Sequence, residues 1–98
     1  SAEVVATPTG APAPPQGFMA TAGKRKVTLR WAGSAGATSY RWKRAAVSGG
    51  PYLLVRTVTG TSATDGSVTA GVTYYYVVTA VNGNGESANS TEAWATPY

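Results

Sequence analysis

Apolar and polar positions alternate through most of the chain after Gly17, and the other strands can be registered from the most apolar stretch, Gly71–Asn82 (GVTYYYVVTAVN). The period-two rule divides its side chains into Tyr74, Tyr76, Val78 and Ala80 on one face and Tyr75, Val77, Thr79 and Val81 on the other. Both faces are largely apolar, the residues are mostly β-branched or aromatic, and no proline interrupts them. That pattern predicts a central strand paired on both edges. Val27, Leu29 and Trp31 alternate with Thr28 and Arg30, and Tyr40 and Trp42 alternate with Arg41 and Lys43, giving each stretch one inward apolar face. Near the end of the chain, inward Ala93 and Ala95 turn Trp94 outward. Turn residues recur at the spacing of an all-β chain, and no useful length carries a helical period. Seven strands are predicted, at Phe18–Ala22, Lys26–Ala32, Ser39–Ala45, Tyr52–Val58, Ser62–Thr64, Thr73–Asn82 and Ser87–Thr96. Two sheets packed about 10 Å apart cover these stripes most simply, so the expected fold is an all-β, seven-stranded antiparallel sandwich.

The chain ahead of Gly17 follows a different pattern. Thr9–Gln16 (TGAPAPPQ) is rich in proline and alanine, which predicts an extended, polyproline-like linker unable to join a central ladder. Ser1–Pro8 (SAEVVATP) matches Ser90–Pro97 (STEAWATP) at Ser, Glu, Ala, Thr and Pro in register. Ser1–Pro8 therefore reads as the last strand of an upstream repeat, followed by the linker and by one domain over residues 17–98. Starting in mid-pattern, the sequence is expected to be a piece of something longer.

Several short features occur in one order: Pro14-Pro15, the VTLRW run ending in Trp31, Tyr40 with Trp42, Gly50-Pro51-Tyr52, Gly71 with Tyr74, Ala80-Val81-Asn82, Gly85-Glu86-Ser87 and Ala95-Thr96-Pro97. Together they resemble a fibronectin type III domain from Pro14 to Pro97. The composition is similar to that of accessory modules in bacterial secreted polysaccharide-degrading enzymes. The resemblance implies an immunoglobulin-like sandwich with Tyr74 as a corner tyrosine bonded to a backbone group upstream, Trp31 as the core tryptophan and Val68 as an apolar plug. Two positions depart from the family pattern. Ala63 stands where the family more often has a large apolar side chain, leaving the core there shallow or filled by Trp42. The Asn82–Glu86 hairpin (NGNGE) lacks Arg-Gly-Asp, so integrin-type adhesion has no residue support. The structural core is expected at Trp31, Tyr40, Trp42, Tyr74, Tyr76 and Val78.

Composition narrows the chemistry further. The 98 residues contain no histidine and no cysteine, which excludes imidazole catalysis, thiolate metal sites and disulfides. Neither a cofactor nor a metal is expected. Glycoside hydrolysis needs two carboxylates flanking one cleft at about 5–9.5 Å, whereas Glu3, Asp65, Glu86 and Glu92 are spread along the chain, so no catalytic residue is assigned. Asp65-Gly66 reads as a turn whose carboxylate accepts backbone N–H groups. The net charge of +4 is carried by scattered side chains apart from Lys24-Arg25-Lys26, which reads as a solvated turn. With no aromatic residues between these cations, nucleic acid is not an expected partner. The sequence has no long apolar run to enter a membrane.

One surface constellation remains. Arg41, Lys43, Tyr75, Val77 and Trp94 are expected to point outward from the third, sixth and last strands as cross-strand neighbours. Three readings stay open: cationic stems covering the rings within the molecule, a docking face for a neighbouring domain, or a surface stacking a sugar ring. The expected function is a monomeric, non-catalytic spacer of a larger extracellular protein, a carbohydrate-active enzyme, with neighbouring domains as partners. The alternative is a module that binds polysaccharide weakly or docks protein through this face. A cell-surface adhesion repeat is a third class.

Overall fold

The computed structural model describes residues 12–98. The strand expected at Ser1–Pro8 and the first part of the expected linker, residues 9–11, lie outside the described residues. The described chain forms eight strands: β1 (Met19–Gly23), β2 (Lys26–Arg30), β3 (Ser39–Ala45), β4 (Leu53–Val58), β5 (Ser62–Asp65), β6 (Tyr74–Asn82), β7 (Gly85–Glu86) and β8 (Ala93–Ala95). One antiparallel sheet has the order β1-β2-β5; the other runs β4-β3-β6, with β7 and β8 both pairing with the remaining edge of β6. The strand of densest apolar sequence is thus central in its sheet.

The alternation in each strand builds the core between the sheets. Val27 and Leu29 are opposite Asp65 and Ala63, and Tyr40, Trp42 and Arg44 are opposite Ala80, Val78 and Tyr76. At one end Phe18, Trp31 and Tyr40 form a chain of tilted rings, with successive centroids 6.1 and 5.7 Å apart. In the middle Trp42 meets Tyr76 at 6.2 Å, in a geometry favourable for aromatic pairs. Ala63 and Val68 are partly buried against this cluster. The inward row of β3 therefore runs from aromatic at Tyr40 and Trp42 to cationic at Arg44.

Of the last strand expected over Ser87–Thr96 only Ala93–Ala95 forms a strand, and the two-residue β7 ahead of it makes eight strands instead of seven. Between β7 and β8 the Ser87 and Ser90 hydroxyls each accept a β6 N–H, from Ala80 and Val78, both at 2.9 Å. The Ser87 and Ser90 N–H groups in turn donate to the Ala80 and Val78 carbonyls, so a side-chain oxygen replaces the carbonyl a regular ladder would supply and β6 stays satisfied although the strand is interrupted. At edge strand β4, Trp42 is opposite Arg56 but Lys43 is opposite Leu54, leaving Val55 as a bulge. A bulge on an exposed edge disfavours pairing with another chain.

Packing extends beyond the strands at both ends. Pro12 and Pro15, in the expected linker, are buried, and the Gln16 carbonyl accepts the Ala32 N–H at 2.8 Å. At the other end Gly71 N–H donates to Pro97 at 2.8 Å, Tyr98 N–H to Gly23 at 3.0 Å and Arg25 N–H to Tyr98 at 2.6 Å. Gly71 (φ 86°) and Arg25 (φ 56°) both have left-handed backbone, so the direction of Pro97 and Tyr98 is set by two shaped turns.

Tyr74 is half-buried, and its hydroxyl accepts the Thr69 N–H at 2.9 Å in exposed surroundings. Because water can replace this acceptor, Tyr74→Phe is expected to cost about 1 kcal/mol. A drop of more than about 10 °C in the thermal midpoint would contradict that cost.

Candidate functional site

The outer face of β3, β6 and β8 is built on direct registers: Arg41 opposite Thr79, Lys43 opposite Val77, Ala45 opposite Tyr75, and Tyr75 opposite Trp94. Chemically it divides in two. In the first half Glu86, opposite Val81 on β7, reaches across the face. Its carboxylate accepts Arg41 Nη1 at 3.2 Å, Lys43 Nζ at 2.8 Å and the Thr79 hydroxyl at 2.6 Å. Donation from Lys43 and Thr79 holds the Glu86 carboxyl below its ordinary pKa, against the opposing effect of partial burial.

This bears on Val77 and the two cations. Val77 belongs to the outer face yet is only 2% exposed. Lys43 lies directly across from it and extends toward Glu86, so the aliphatic part of Lys43 shields the valine while the charge is neutralised beyond it. Arg41 and Lys43 are committed to Glu86. Among the described residues the close cation–ring contact is instead Arg44 over Tyr74, 5.2 Å from the ring centroid, and Arg44 belongs to the inward row of β3.

The second half is aromatic. Tyr75 is half-buried beside Trp94, which is 63% exposed. Two residues before Trp94, Glu92 accepts the Ser48 hydroxyl at 2.7 Å, the Gly49 N–H at 2.8 Å and the Tyr52 hydroxyl. The Gly49 amide, then Tyr52 and Ser48, hold the Glu92 carboxyl below its usual pKa; burial, then the Glu92 carboxylate, raises that of Tyr52. The loop between β3 and β4 is therefore tied to the segment carrying Trp94.

A third polar group lies inside the sandwich. Asp65 is 2% exposed and accepts Arg44 Nη1 at 2.8 Å, the Tyr76 hydroxyl at 2.9 Å, and the Ser67 hydroxyl and N–H at 2.9 and 3.0 Å. The Ser67 amide bond is the turn contact expected of Asp65-Gly66; the contacts with Arg44 and Tyr76 make it a buried network as well. Burial pushes the Asp65 carboxyl up, but the Arg44 pair and the bonds from Ser67 and Tyr76 outweigh it, and the net shift is downward. Burial, and then the Asp65 carboxylate, hold the Tyr76 hydroxyl firmly protonated. All three described carboxylates thus have their own structural donors, and no cluster of three or more His, Cys, Asp or Glu exists among the described residues. No helix there is long and apolar enough to cross a membrane. Lys24, Arg25 and Lys26 are exposed and make no ion pair among the described residues.

Sequence reasoning named Tyr52, Glu86 and Glu92 but not their partners, and it missed Arg44. Arg44 carried a legible signal: it follows Tyr40 and Trp42 at even spacing, and a cation in an inward row needs a buried anion. For Glu86 the signal was weaker, a lone acid in a hairpin near a strand with two outward cations. Tyr52 and Glu92 are linked by a loop path that periodicity does not report.

Two antiparallel sheets packed face to face, with a corner tyrosine opening the central strand β6, define an immunoglobulin-like sandwich. The chain belongs to the fibronectin type III family: it is 40% identical, at a TM-score of 0.81, to an Fn3-like protein from Clostridium thermocellum, covering 91% of this chain and 96% of that one. No protein-family model matches the sequence. An amylopullulanase of Thermoanaerobacterium saccharolyticum is 43% identical over 89 residues, 89% of this chain. The chain spans only 5–7% of the length of the curated relatives it matches. A β-1,2-glucanase from Parabacteroides distasonis aligns at 28% identity and a TM-score of 0.81, over 98% of this chain and 14% of the enzyme.

Proposed function

We propose that this chain is a non-catalytic accessory module that spaces other domains within a larger, extracellular carbohydrate-active enzyme. One observation carries the reading: 89% of the chain corresponds to about 7% of an amylopullulanase, so its counterpart there is a small part of a large protein. Two features of the structure support it. Each described carboxylate is engaged in holding the fold, and among the described residues none is left as a free acid–base pair. The three backbone bonds around Pro97 and Tyr98 fix the direction of the chain there, as a rigid spacer requires.

In the full polypeptide carrying this module, replacing it by an unrelated fibronectin type III sandwich is expected to keep activity on polymeric substrate within about twofold. A Gly/Ser segment of equal residue count should lower that activity several-fold while activity on short soluble substrates stays unchanged. If both replacements behave like the original, spacing is not its role.

A further inference from the structure

We propose that Trp94, opposite Tyr75 in the ladder, is a single-ring platform that stacks one hexopyranose unit of an oligosaccharide. The inference rests on the accessory-module reading for its ligand class and on the outer face for its geometry. A large indole left 63% exposed is unusual for a residue type that is mostly well buried. Its position is nevertheless fixed. Ala93 and Ala95 on either side of it turn toward the core, all three residues pair with β6, and Tyr75 is directly across the ladder on the same face.

The segment before Trp94 is anchored as well. Glu92 is held by Ser48, Gly49 and Tyr52, so the approach to the indole is preorganised rather than adaptable. A carboxylate has about four lone-pair sites, and three donors reach Glu92 within the chain, leaving acceptor capacity for a sugar hydroxyl.

Size and polarity select the ligand. A stable protein interface covers about 800 Å² per partner around an apolar centre. Here the aromatic surface is one indole and the edge of a half-buried phenol, and the border beside it is mainly polar: Arg41 and Lys43 share the one carboxylate of Glu86, Val77 is covered, and Leu54, opposite Lys43, is the exposed aliphatic side chain there. A cationic ligand would need several rings to enclose it. The C–H face of a pyranose, by contrast, is the size of one aromatic ring, presents slightly positive hydrogens to the negative face of the indole, and carries its hydroxyls at the rim, where a polar border is an asset. A single stacked ring gives weak binding, with a Kd of about 1 mM or higher.

The test is a titration of the ¹⁵N-labelled chain with maltoheptaose and, separately, with cellopentaose. Saturable shifts are expected at the Trp94 indole and Tyr75 amide, with the Trp31 and Trp42 indoles silent. Trp94→Ala should weaken binding at least tenfold with the spectrum otherwise preserved, and Trp94→Phe should retain part of it. Silence with both sugars, or equal shifts in Trp94→Ala, would overturn the inference. So would signals that move only when the chain is joined to a neighbouring domain, which would make the face a docking surface. The readout is independent of the module-replacement experiment: a spacer can fail to bind sugar, and a sugar-binding module can fail as a spacer.

Discussion

Asp65→Ala is expected to lower the unfolding free energy by about 3 kcal/mol and the thermal midpoint by on the order of 15 °C. The carboxylate is 2% exposed and is the shared acceptor of Arg44, Tyr76 and Ser67. Its removal leaves a guanidinium and a phenol at the end of the core without their common partner, and breaking a buried pair from one side costs more than replacing both sides. Arg44 is only partly covered and can turn toward water, which keeps the cost at the lower end of that range. Arg44→Met combined with Asp65→Leu should therefore recover part of the loss, and strict additivity of the single effects would show that the pair is not coupled.

The same network predicts the acid limb of stability. The folded pKa of Asp65 is depressed, because the Arg44 pair and the hydrogen bonds overcome burial. With a folded value below the unfolded one, the unfolded chain takes up the proton first as pH falls. The contribution is complete above the unfolded carboxylate range, near pH 4, and is lost as pH drops through the folded value. Glu86 shifts in the same direction and adds to this limb. Urea midpoints measured from pH 6 to pH 2 should fall below about pH 4, and Asp65→Asn should flatten that fall. An unchanged slope in Asp65→Asn would remove Asp65 from the account.

What could be read from the sequence was whatever alternation encodes. The third strand was expected at Ser39–Ala45 and occupies those residues, and the sixth begins one residue later than expected, at Tyr74, because Tyr40-Trp42 and Tyr74-Tyr76-Val78 leave one choice of inward face. Register also placed Tyr75 beside Trp94. Alternation is silent about side chains that substitute for backbone: the Ser87 and Ser90 hydroxyls take the place of ladder carbonyls where a strand was expected, and nothing in their spacing distinguishes them from ordinary outward residues. It is silent too about what lies over a face. Val77 has outward parity and is nevertheless buried, with Lys43 opposite it reaching to Glu86 on another strand.

Two tryptophans separate these kinds of information. Trp42→Ala is expected to cost about 3–5 kcal/mol, whereas Trp94→Ala should stay within about 0.5 kcal/mol of the parent. Trp42 is 2% exposed, packs on Tyr76 with centroids 6.2 Å apart, and stands opposite Val78 in the central ladder. In the facing sheet β5 contributes only the small side chain of Ala63 to this cluster, beside Val27 and Leu29 of β2, so the indole supplies volume that β5 does not. Trp42→Phe should cost less than half as much, because it keeps the ring contact and removes an indole N–H that has no hydrogen-bond partner in the core. Paired urea denaturation curves decide the matter. A large loss at Trp42 with none at Trp94 assigns one indole to stability and leaves the other free for a ligand; a comparable loss at both would mean that Trp94 works in holding the sheet together.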